Sequence, residues 1–290
     1  MEASARPAVI MADAKALWFD QILGHDAPRS LDVVIRDDSG EWLERLKGKI
    51  PELAREAFFL PNMVFDAPLS FVRNPICIGR NYLEHAKEAM RSGVATGVNE
   101  EYPIFFTKAT TTRNRHQGPI TAFDSAVGLD YEAELAVILG SSAHHVEREA
   151  VQAKIFGYTL INDVTARAVQ RQHQQWFMGK SFDGFCPVGP VIVTADEFSW
   201  PVDVTVRLSV NGQERQCFNT REMIFDIGQQ ISWLSRVMTL LPGDLIATGT
   251  GDGVGRSFDP PRYLLPGDQV DIDCSEIGRL SNPIVAEPAR

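Results

Sequence analysis

Cysteine is scarce and scattered in this sequence. Its 290 residues include four cysteines, Cys77, Cys186, Cys217 and Cys274, and no two of them have the close spacing typical of a zinc site. The pattern also excludes the disulfide framework of a small secreted domain. We therefore expect reduced thiols in a cytoplasmic protein.

Long apolar runs and clusters of positive charge are absent as well. No stretch of about 18 consecutive apolar residues occurs, and the N-terminus does not pair a basic segment with an apolar one. The formal net charge of -10 is spread without a basic patch, which argues against binding to nucleic acid or to an anionic membrane surface. The expected partner is a small molecule, with no nucleic acid and no membrane.

The common nucleotide-binding glycine motifs are also missing. The tripeptide GKS at residues 179–181 lacks the glycine that a phosphate-binding loop carries five positions before its second glycine, because position 174 is glutamine. The segment TGTGDGVG, residues 248–255, fails the dinucleotide-binding spacing, since Val254 or Arg256 stands where the last glycine belongs. Its glycines either allow the backbone to approach a ligand closely or only form a turn.

The chain divides into two parts with different patterns. Residues 11–23 and 39–59 have helical periodicity, the second stretch with an expected break at Pro51, and residues 31–38 look like a strand. Short β-type runs separated by proline and glycine then follow to the C-terminus. We predict a small helical or mixed N-terminal domain, residues 1–68, and a β-rich catalytic domain, residues 69–290. The first part has too little apolar material for its own core and should pack on the second.

Acidic residues interrupt one of the most apolar strands, DYEAELAVILG. Strand alternation places Glu132 and Glu134 on one face at one end, with Cα atoms about 7 Å apart. Either this end emerges into water, or the two carboxylates share a cation. Asp163, directly after the apolar FGYTLIN, is either the N-cap of the next helix or a third oxygen ligand. An all-oxygen set favours Mg²⁺, Mn²⁺ or Ca²⁺ over zinc.

Other polar groups cluster in apolar surroundings. His85 and Glu88 share one face of a helix predicted for residues 81–93, so the carboxylate can orient the imidazole, unless the pair is an incidental surface feature. Arg167 and Gln170 share a face of a helix predicted for residues 165–176. They suit capture of a substrate carboxylate, or else form a solvated basic face. Lys180 lies in an aromatic-rich loop.

Five blocks in order resemble the fumarylacetoacetate hydrolase family over roughly residues 70–285: CIGRNYLEHAKE, DYEAELAVILG, GYTLINDVTAR, GKSFDGFCPVGP and TGTGDGVG. The resemblance implies an α+β fold, a β-rich mixed sandwich or roll with few helices, after a small N-terminal domain. Relatives in this family are usually homodimers, so the resemblance also implies a homodimer here. Departures at Ala168, at Gly251 and in the basic loop around Arg113 and Arg115 leave the substrate open.

The resemblance also implies roles for the residues that match the family's motifs. Glu132, Glu134 and Asp163 correspond to a Mg²⁺ or Mn²⁺ site, and His85 with Glu88 corresponds to a pair that activates water. By the same matching, Lys180 polarises the substrate, Arg167 and Gln170 bind it, and Thr250 contacts its carboxylate.

Our first hypothesis from these residues is metal-dependent hydrolysis of a carbon–carbon bond in a β-diketo acid, such as an acylpyruvate or fumarylpyruvate, through a metal-bound enolate. The alternatives are decarboxylation of oxaloacetate, and isomerisation or hydration of an unsaturated 2-oxo acid in aromatic catabolism. A non-catalytic binding protein is a third hypothesis, although none of the expected groups is missing.

Overall fold

The computed structural model describes residues 5–11, 15–59, 63–91, 101–124 and 126–288. Seven α-helices occur in these ranges: α1 Phe19–Leu23, α2 Leu31–Ile35, α3 Glu41–Leu53, α4 Leu83–Arg91, α5 Arg167–Gln172, α6 Phe177–Lys180 and α7 Ile227–Val237. In these same ranges, no helix is both long and apolar enough to cross a membrane.

The strands of the N-terminal half of the described chain are β1 Ala8–Ile10, β2 Lys15–Trp18, β3 Phe58–Phe59, β4 Ile76–Gly79, β5 Ile104–Thr107, β6 Arg113–Asn114, β7 Ile120–Ala122, β8 Leu129–Asp130 and β9 Ala133–Leu139. Those of the C-terminal half are β10 Ile155–Asn162, β11 Thr165–Ala166, β12 Cys186–Thr194, β13 Thr205–Val210, β14 Gln213–Asn219, β15 Leu245–Ala247, β16 Gln269–Cys274 and β17 Gly278–Ala286.

These strands form four sheets. The largest is seven-stranded, in the order β5-β4-β15-β9-β10-β12-β6, and a five-stranded sheet has the order β14-β13-β16-β17-β7. A three-stranded sheet, β1-β2-β3, lies in the N-terminal segment, and β11 pairs with β8. The predicted α+β, β-rich fold is confirmed.

Strand β9 shows how the largest sheet is packed. Its residues Leu135, Val137 and Leu139 join an apolar cluster with the five-stranded sheet, for example with Leu208. The alternate residue Ile138 joins a second cluster with the N-terminal segment. Both faces of the sheet are therefore covered, which explains why β9 reads as an almost continuous apolar run.

The N-terminal segment shares its core with the large sheet. Leu17, Phe19 and Ile35 pack in one cluster with Ala247 of β15 and Ile138 of β9. Such packing agrees with the expectation that this segment has too little apolar material to fold around a core of its own. The domain boundary at residue 68 stays a prediction.

Three local predictions in this segment were wrong. Residues 31–35 form helix α2 rather than a strand, because Leu31, Val34 and Ile35 have the i, i+3, i+4 spacing that buries one helical face. Helix α3 runs through Pro51 and ends two residues later. The hydrogen bond that proline cannot donate is therefore missing only from the last turn of the helix. Of the helix predicted for residues 11–23, the chain forms strand β2 and only the short α1, and residues 12–14 lie outside the described ranges.

Candidate active site and metal centre

Three buried carboxylates meet where β9 begins and β10 ends. The strands are antiparallel, so Ile161 pairs with Glu134, and the Asp163 amide donates to the Glu132 carbonyl oxygen at 2.8 Å. Glu132, Glu134 and Asp163 each offer one oxygen, and these oxygens lie within 4.8 Å of one another. At most 6% of any of the three residues is exposed, which rules out the solvated alternative. Asp163 is not a helix N-cap, because Ala166 holds that position for α5.

Positively charged side chains surround two of these carboxylates. The Lys180 Nζ lies 2.6 Å from Glu132 Oε2 and 2.5 Å from Asp163 Oδ2. The Lys108 Nζ donates to Asp163 Oδ1 at 2.6 Å, and the Arg167 Nη2 donates to Glu132 Oε1 at 2.6 Å. Burial alone would raise the pKa of Glu132, but Lys180 and Arg167 hold it well below its usual range.

Glu134 differs from its two neighbours. It accepts a hydrogen bond from the Gly249 amide at 2.7 Å, but within the described ranges no basic side chain forms an ion pair with it. Burial, followed by the charges of Asp163 and Glu132, raises the pKa of Glu134 well above its usual value. A divalent cation would supply the missing positive charge, so the donor set and its charge fit such an ion.

His85 and Glu88 lie on α4 and are both buried. The His85 Nδ1 is 3.5 Å from Glu88 Oε2. The two predicted residues are therefore neighbours, at a distance longer than an ordinary hydrogen bond. The Gly253 amide donates to the other Glu88 oxygen at 2.9 Å and fixes that carboxylate. His85 lines the same cavity as Glu132 and Glu134, so the imidazole lies beside the carboxylate cluster.

The glycine-rich segment 248–255 holds carboxylates rather than a phosphate. Three of its amides donate to acidic side chains of the site: Gly249 to Glu134 at 2.7 Å, Gly253 to Glu88 at 2.9 Å and Gly255 to Asp130 at 2.7 Å. At Gly255 an added Cβ would lie 2.5 Å from an Asp130 oxygen, so the approach requires glycine. The sequence predicted that this segment either forms a turn or lets the backbone approach a ligand. In the structure its amides instead hold carboxylates of the site in place.

Thr250 is buried in the same segment and lines the cavity. Its hydroxyl oxygen accepts a hydrogen bond from the Gln216 amide at 2.8 Å. Because that oxygen acts as acceptor, the hydroxyl proton remains available for a ligand. Gln216 also accepts from the Ala133 amide, and so connects the segment to the start of β9.

Arg167 and Gln170 share a face of α5, as predicted. The Arg167 Nη1 donates to Gln170 Oε1 at 3.3 Å, while its Nε donates to Asp130 Oδ2 at 2.8 Å. Two of the Arg167 donor groups therefore hold Asp130 and Glu132. The guanidinium in this arrangement positions carboxylates of the site, and its binding to a substrate stays a prediction.

A single cavity connects these groups. Its volume is about 410 Å³ when the space open to solvent at its mouth is included. All the predicted site residues except Glu88 and Asp163 line it, together with Arg80, Phe106, Trp176 and Arg256. Charged and polar side chains that converge beside aromatic rings, as here, suit a small organic acid.

The sequence interpretation missed several residues that hold the site. Asp130 accepts from Arg167 and from the amides of Gly255 and Arg256, and Lys108 neutralises Asp163. Asn81 bonds both the Phe225 backbone and the carbonyl of Thr248, which begins the glycine-rich segment. Asp130 and Asn81 carried a signal, because each lies in a block that resembles the family, DYEAELAVILG and CIGRNYLEHAKE.

Comparison with known proteins identifies the family. A sequence model described as the fumarylacetoacetate hydrolase C-terminal domain matches residues 74–285. The chain belongs to the fumarylacetoacetate hydrolase family. It is 42% identical over 246 residues to the oxaloacetate tautomerase YisK of Bacillus subtilis, a match that covers 84% of this chain and 79% of that protein.

Solved structures of the family give the same result. A fumarylacetoacetate hydrolase from Exiguobacterium antarcticum has 37% identity and a TM-score of 0.81, with 99% of this chain and 97% of the other covered. A maleylpyruvate hydrolase from Sphingobium, solved with manganese(II) and pyruvate, has 28% identity and a TM-score of 0.78, covering 98% and 97%. The predicted family is confirmed, and its members include tautomerases, isomerases and hydrolases that act on small organic acids.

Proposed function

We propose that this protein is a divalent-metal-dependent enzyme that interconverts the enol and keto forms of a 2-oxo acid, with oxaloacetate as the first substrate to test. The observation that carries the proposal is the buried Glu132, Glu134 and Asp163 cluster, in which Glu134 forms no ion pair with the described basic side chains. The relative at 42% identity is named as an oxaloacetate tautomerase, which supports this choice over the hydrolase.

Mg²⁺ is the proposed ion, with Mn²⁺ or Ca²⁺ as alternatives, because all three ligands are carboxylates. Bound at the cluster, the ion would polarise the 2-oxo and carboxylate oxygens of the substrate and acidify the C3–H group. Lys180 adds a second positive charge there. Two of its three N–H groups bond Glu132 and Asp163, so the third can donate to the 2-oxo oxygen as negative charge develops.

His85 carries the proton in this proposal. Its neutral imidazole accepts the proton from C3 at Nε2, and Glu88 beside Nδ1 stabilises the resulting imidazolium. The same proton then passes to the 2-oxo oxygen to give the enol, and the reverse sequence gives the keto form. Thr250 donates its free hydroxyl proton to the substrate carboxylate.

Hydrolysis of a carbon–carbon bond in a β-diketo acid is the second candidate. It is supported by the His85 and Glu88 pair, which could deprotonate a water instead of C3, and by the maleylpyruvate hydrolase among the structural relatives. Decarboxylation of oxaloacetate uses the same polarised 2-oxo group.

The cytoplasmic location and the homodimer stay predictions.

One set of assays separates these activities. The protein is supplied with Mg²⁺ and either freshly dissolved enolic oxaloacetate or an acylpyruvate, and decay of the enol absorbance, release of carbon dioxide and formation of pyruvate are followed separately. Tautomerisation predicts accelerated enol decay without carbon dioxide. Formation of pyruvate from the acylpyruvate would support the hydrolase instead. Release of carbon dioxide from oxaloacetate would support the decarboxylase.

A further inference from the structure

Arg256 lines the cavity and takes no part in the chemistry proposed above. Its backbone amide donates to Asp130 Oδ2 at 3.1 Å, the same oxygen that accepts from the Arg167 Nε. The Asp130 carboxylate thus anchors both arginines to one side of the site. This bond fixes the backbone of Arg256 beside the cavity that its side chain lines.

The guanidinium of Arg256 has no acidic partner in the described part of the chain. Its Nε is buried without a hydrogen-bond partner, and no described carboxylate forms an ion pair with it. Burial, followed by the nearby Arg167 charge, lowers the pKa of Arg256 to about 10. A partly buried cation without a counterion is costly, and an anionic ligand would remove that cost.

The other basic groups around the cavity are already engaged. Lys180 bonds Glu132 and Asp163, and Arg167 bonds Asp130 and the same Glu132. Lys108 pairs with Asp163, and the Arg80 guanidinium lies over the Trp176 ring at 5.5 Å. Arg256 is consequently the group best placed to receive a further carboxylate.

The charge of the whole site points to the same class of ligand. Among the described residues, the charged side chains that line the cavity or connect to it through ion pairs are five acids and five bases: Glu88, Asp130, Glu132, Glu134 and Asp163 against Arg80, Lys108, Arg167, Lys180 and Arg256. With His85 neutral, a divalent cation leaves two positive charges in excess. A dianionic ligand would balance them.

We propose that Arg256 is a specificity-determining residue that binds the distal carboxylate of a 2-oxo dicarboxylic acid. The inference rests on the proposed function, because it assumes that the 2-oxo carboxylate end of the substrate lies at the Glu132, Glu134 and Asp163 cluster. Arg256 then distinguishes dicarboxylates from 2-oxo acids with an uncharged end.

Binding of unreactive probes tests this assignment without turnover. N-oxalylglycine and N-ethyloxamate share the oxalyl group and differ in that the first ends in a carboxylate and the second in a methyl group. Oxalate serves as a probe of the cluster end alone. Calorimetric titrations of the full chain with Mn²⁺ would compare wild type, Arg256→Gln, Arg256→Lys and a control, Arg262→Gln, which removes an exposed charge six residues away.

We expect wild type and Arg262→Gln to bind N-oxalylglycine about 10- to 100-fold more tightly than N-ethyloxamate. In Arg256→Gln this ratio should fall to near one, while oxalate affinity changes by less than about threefold, because oxalate does not reach Arg256. Arg256→Lys should keep an intermediate ratio, since it retains the charge without the planar fork.

A ratio in Arg256→Gln equal to that of wild type would overturn the assignment, and so would a wild-type ratio near one. A further outcome is that the affinity ratio changes as expected while the protein does not accelerate the decay of enolic oxaloacetate. In that case the proposed reaction is wrong and the dicarboxylate site stands. If none of the three probes binds, both proposals fail.

Discussion

The Lys108 Nζ lies 2.6 Å from Asp163 Oδ1, and neither side chain is exposed to solvent. Lys47 and Asp196 form an ion pair of the same length at the surface, where the side chains are 36% and 56% exposed. The two pairs share the donor type and the distance and differ in burial. They therefore allow the energetic effect of the buried network to be measured directly.

Replacing Lys108 by methionine should destabilise the fold strongly. The variant leaves the Asp163 charge with less compensation in the interior, which costs about 3–5 kcal/mol of unfolding free energy. Lys47→Met should cost about 0–1 kcal/mol, because water solvates Asp196 once its partner is gone. Urea unfolding of both variants checks this, and equal losses would show that burial does not govern the pair.

Substitution of His85 by glutamine should remove catalysis but not metal binding. We expect kcat to fall by about 10²–10⁴, because the variant loses the group that transfers the proton. Affinity for Mn²⁺ should stay close to that of wild type, since His85 is not a ligand. Glu84→Gln on the same helix removes an exposed carboxylate that pairs with Lys87, and serves as the control. Unchanged turnover in His85→Gln would exclude the imidazole from the reaction.

Gly249→Ala should destabilise the protein more than Gly212→Ala. Both glycines have positive φ, 94° and 75°. An added Cβ at Gly249 lies 2.8 Å from the Asn81 Cβ, whereas at Gly212 nothing lies within 4 Å. We expect losses of about 2–5 kcal/mol and about 1–2 kcal/mol respectively in thermal or urea unfolding. Similar losses would mean that the contact with Asn81 relaxes freely.

Protonation of His116 should make the protein less stable in mild acid. Burial, followed by the charge of Arg115, lowers the pKa of His116 from 6.5, and its Nδ1 accepts from the Ser281 amide at 3.1 Å. The unfolded chain then binds a proton more readily than the folded one, so this stability is present above pH 6.5 and is lost as the pH falls toward the folded-state pKa.

The variant His116→Asn tests this dependence, because the asparagine oxygen can still accept from Ser281. Its unfolding free energy should fall less than that of wild type between about pH 7.5 and about pH 5.5. His25→Asn removes an exposed histidine and should retain the wild-type slope. The hypothesis fails if His116→Asn shows that same slope.

The sequence predicted the site better than it predicted the connections that hold it. Alternation at the start of β9 places Glu134 and the preceding Glu132 together, and an apolar strand leads to Asp163, so the cluster could be inferred from local patterns. The contact of Gly255 with Asp130 joins positions 125 residues apart, and Lys108 is 55 residues from Asp163. No local periodicity encodes such pairings. They depend on how distant strands and loops pack.

Local patterns also failed where tertiary contacts decided the element. Residues 31–35 combine β-branched residues with a helical spacing, and burial of Val34 and Ile35 against the large sheet selects the helix. The glycines of residues 248–255 predicted an unusual backbone, but only the structure shows that their amides bind acidic side chains.

Diffraction from crystals grown with Mn²⁺ tests the central proposal, a divalent cation at the carboxylate cluster, most directly. The anomalous signal of manganese should give one strong peak among Glu132, Glu134 and Asp163, with metal–oxygen distances of about 2.0–2.6 Å. Crystals of the Glu134→Gln variant, grown with Mn²⁺ in the same way, should show a much weaker peak. No peak at the cluster in wild type, with Lys180 Nζ still bonded to Glu132 and Asp163, would contradict the proposed metal site.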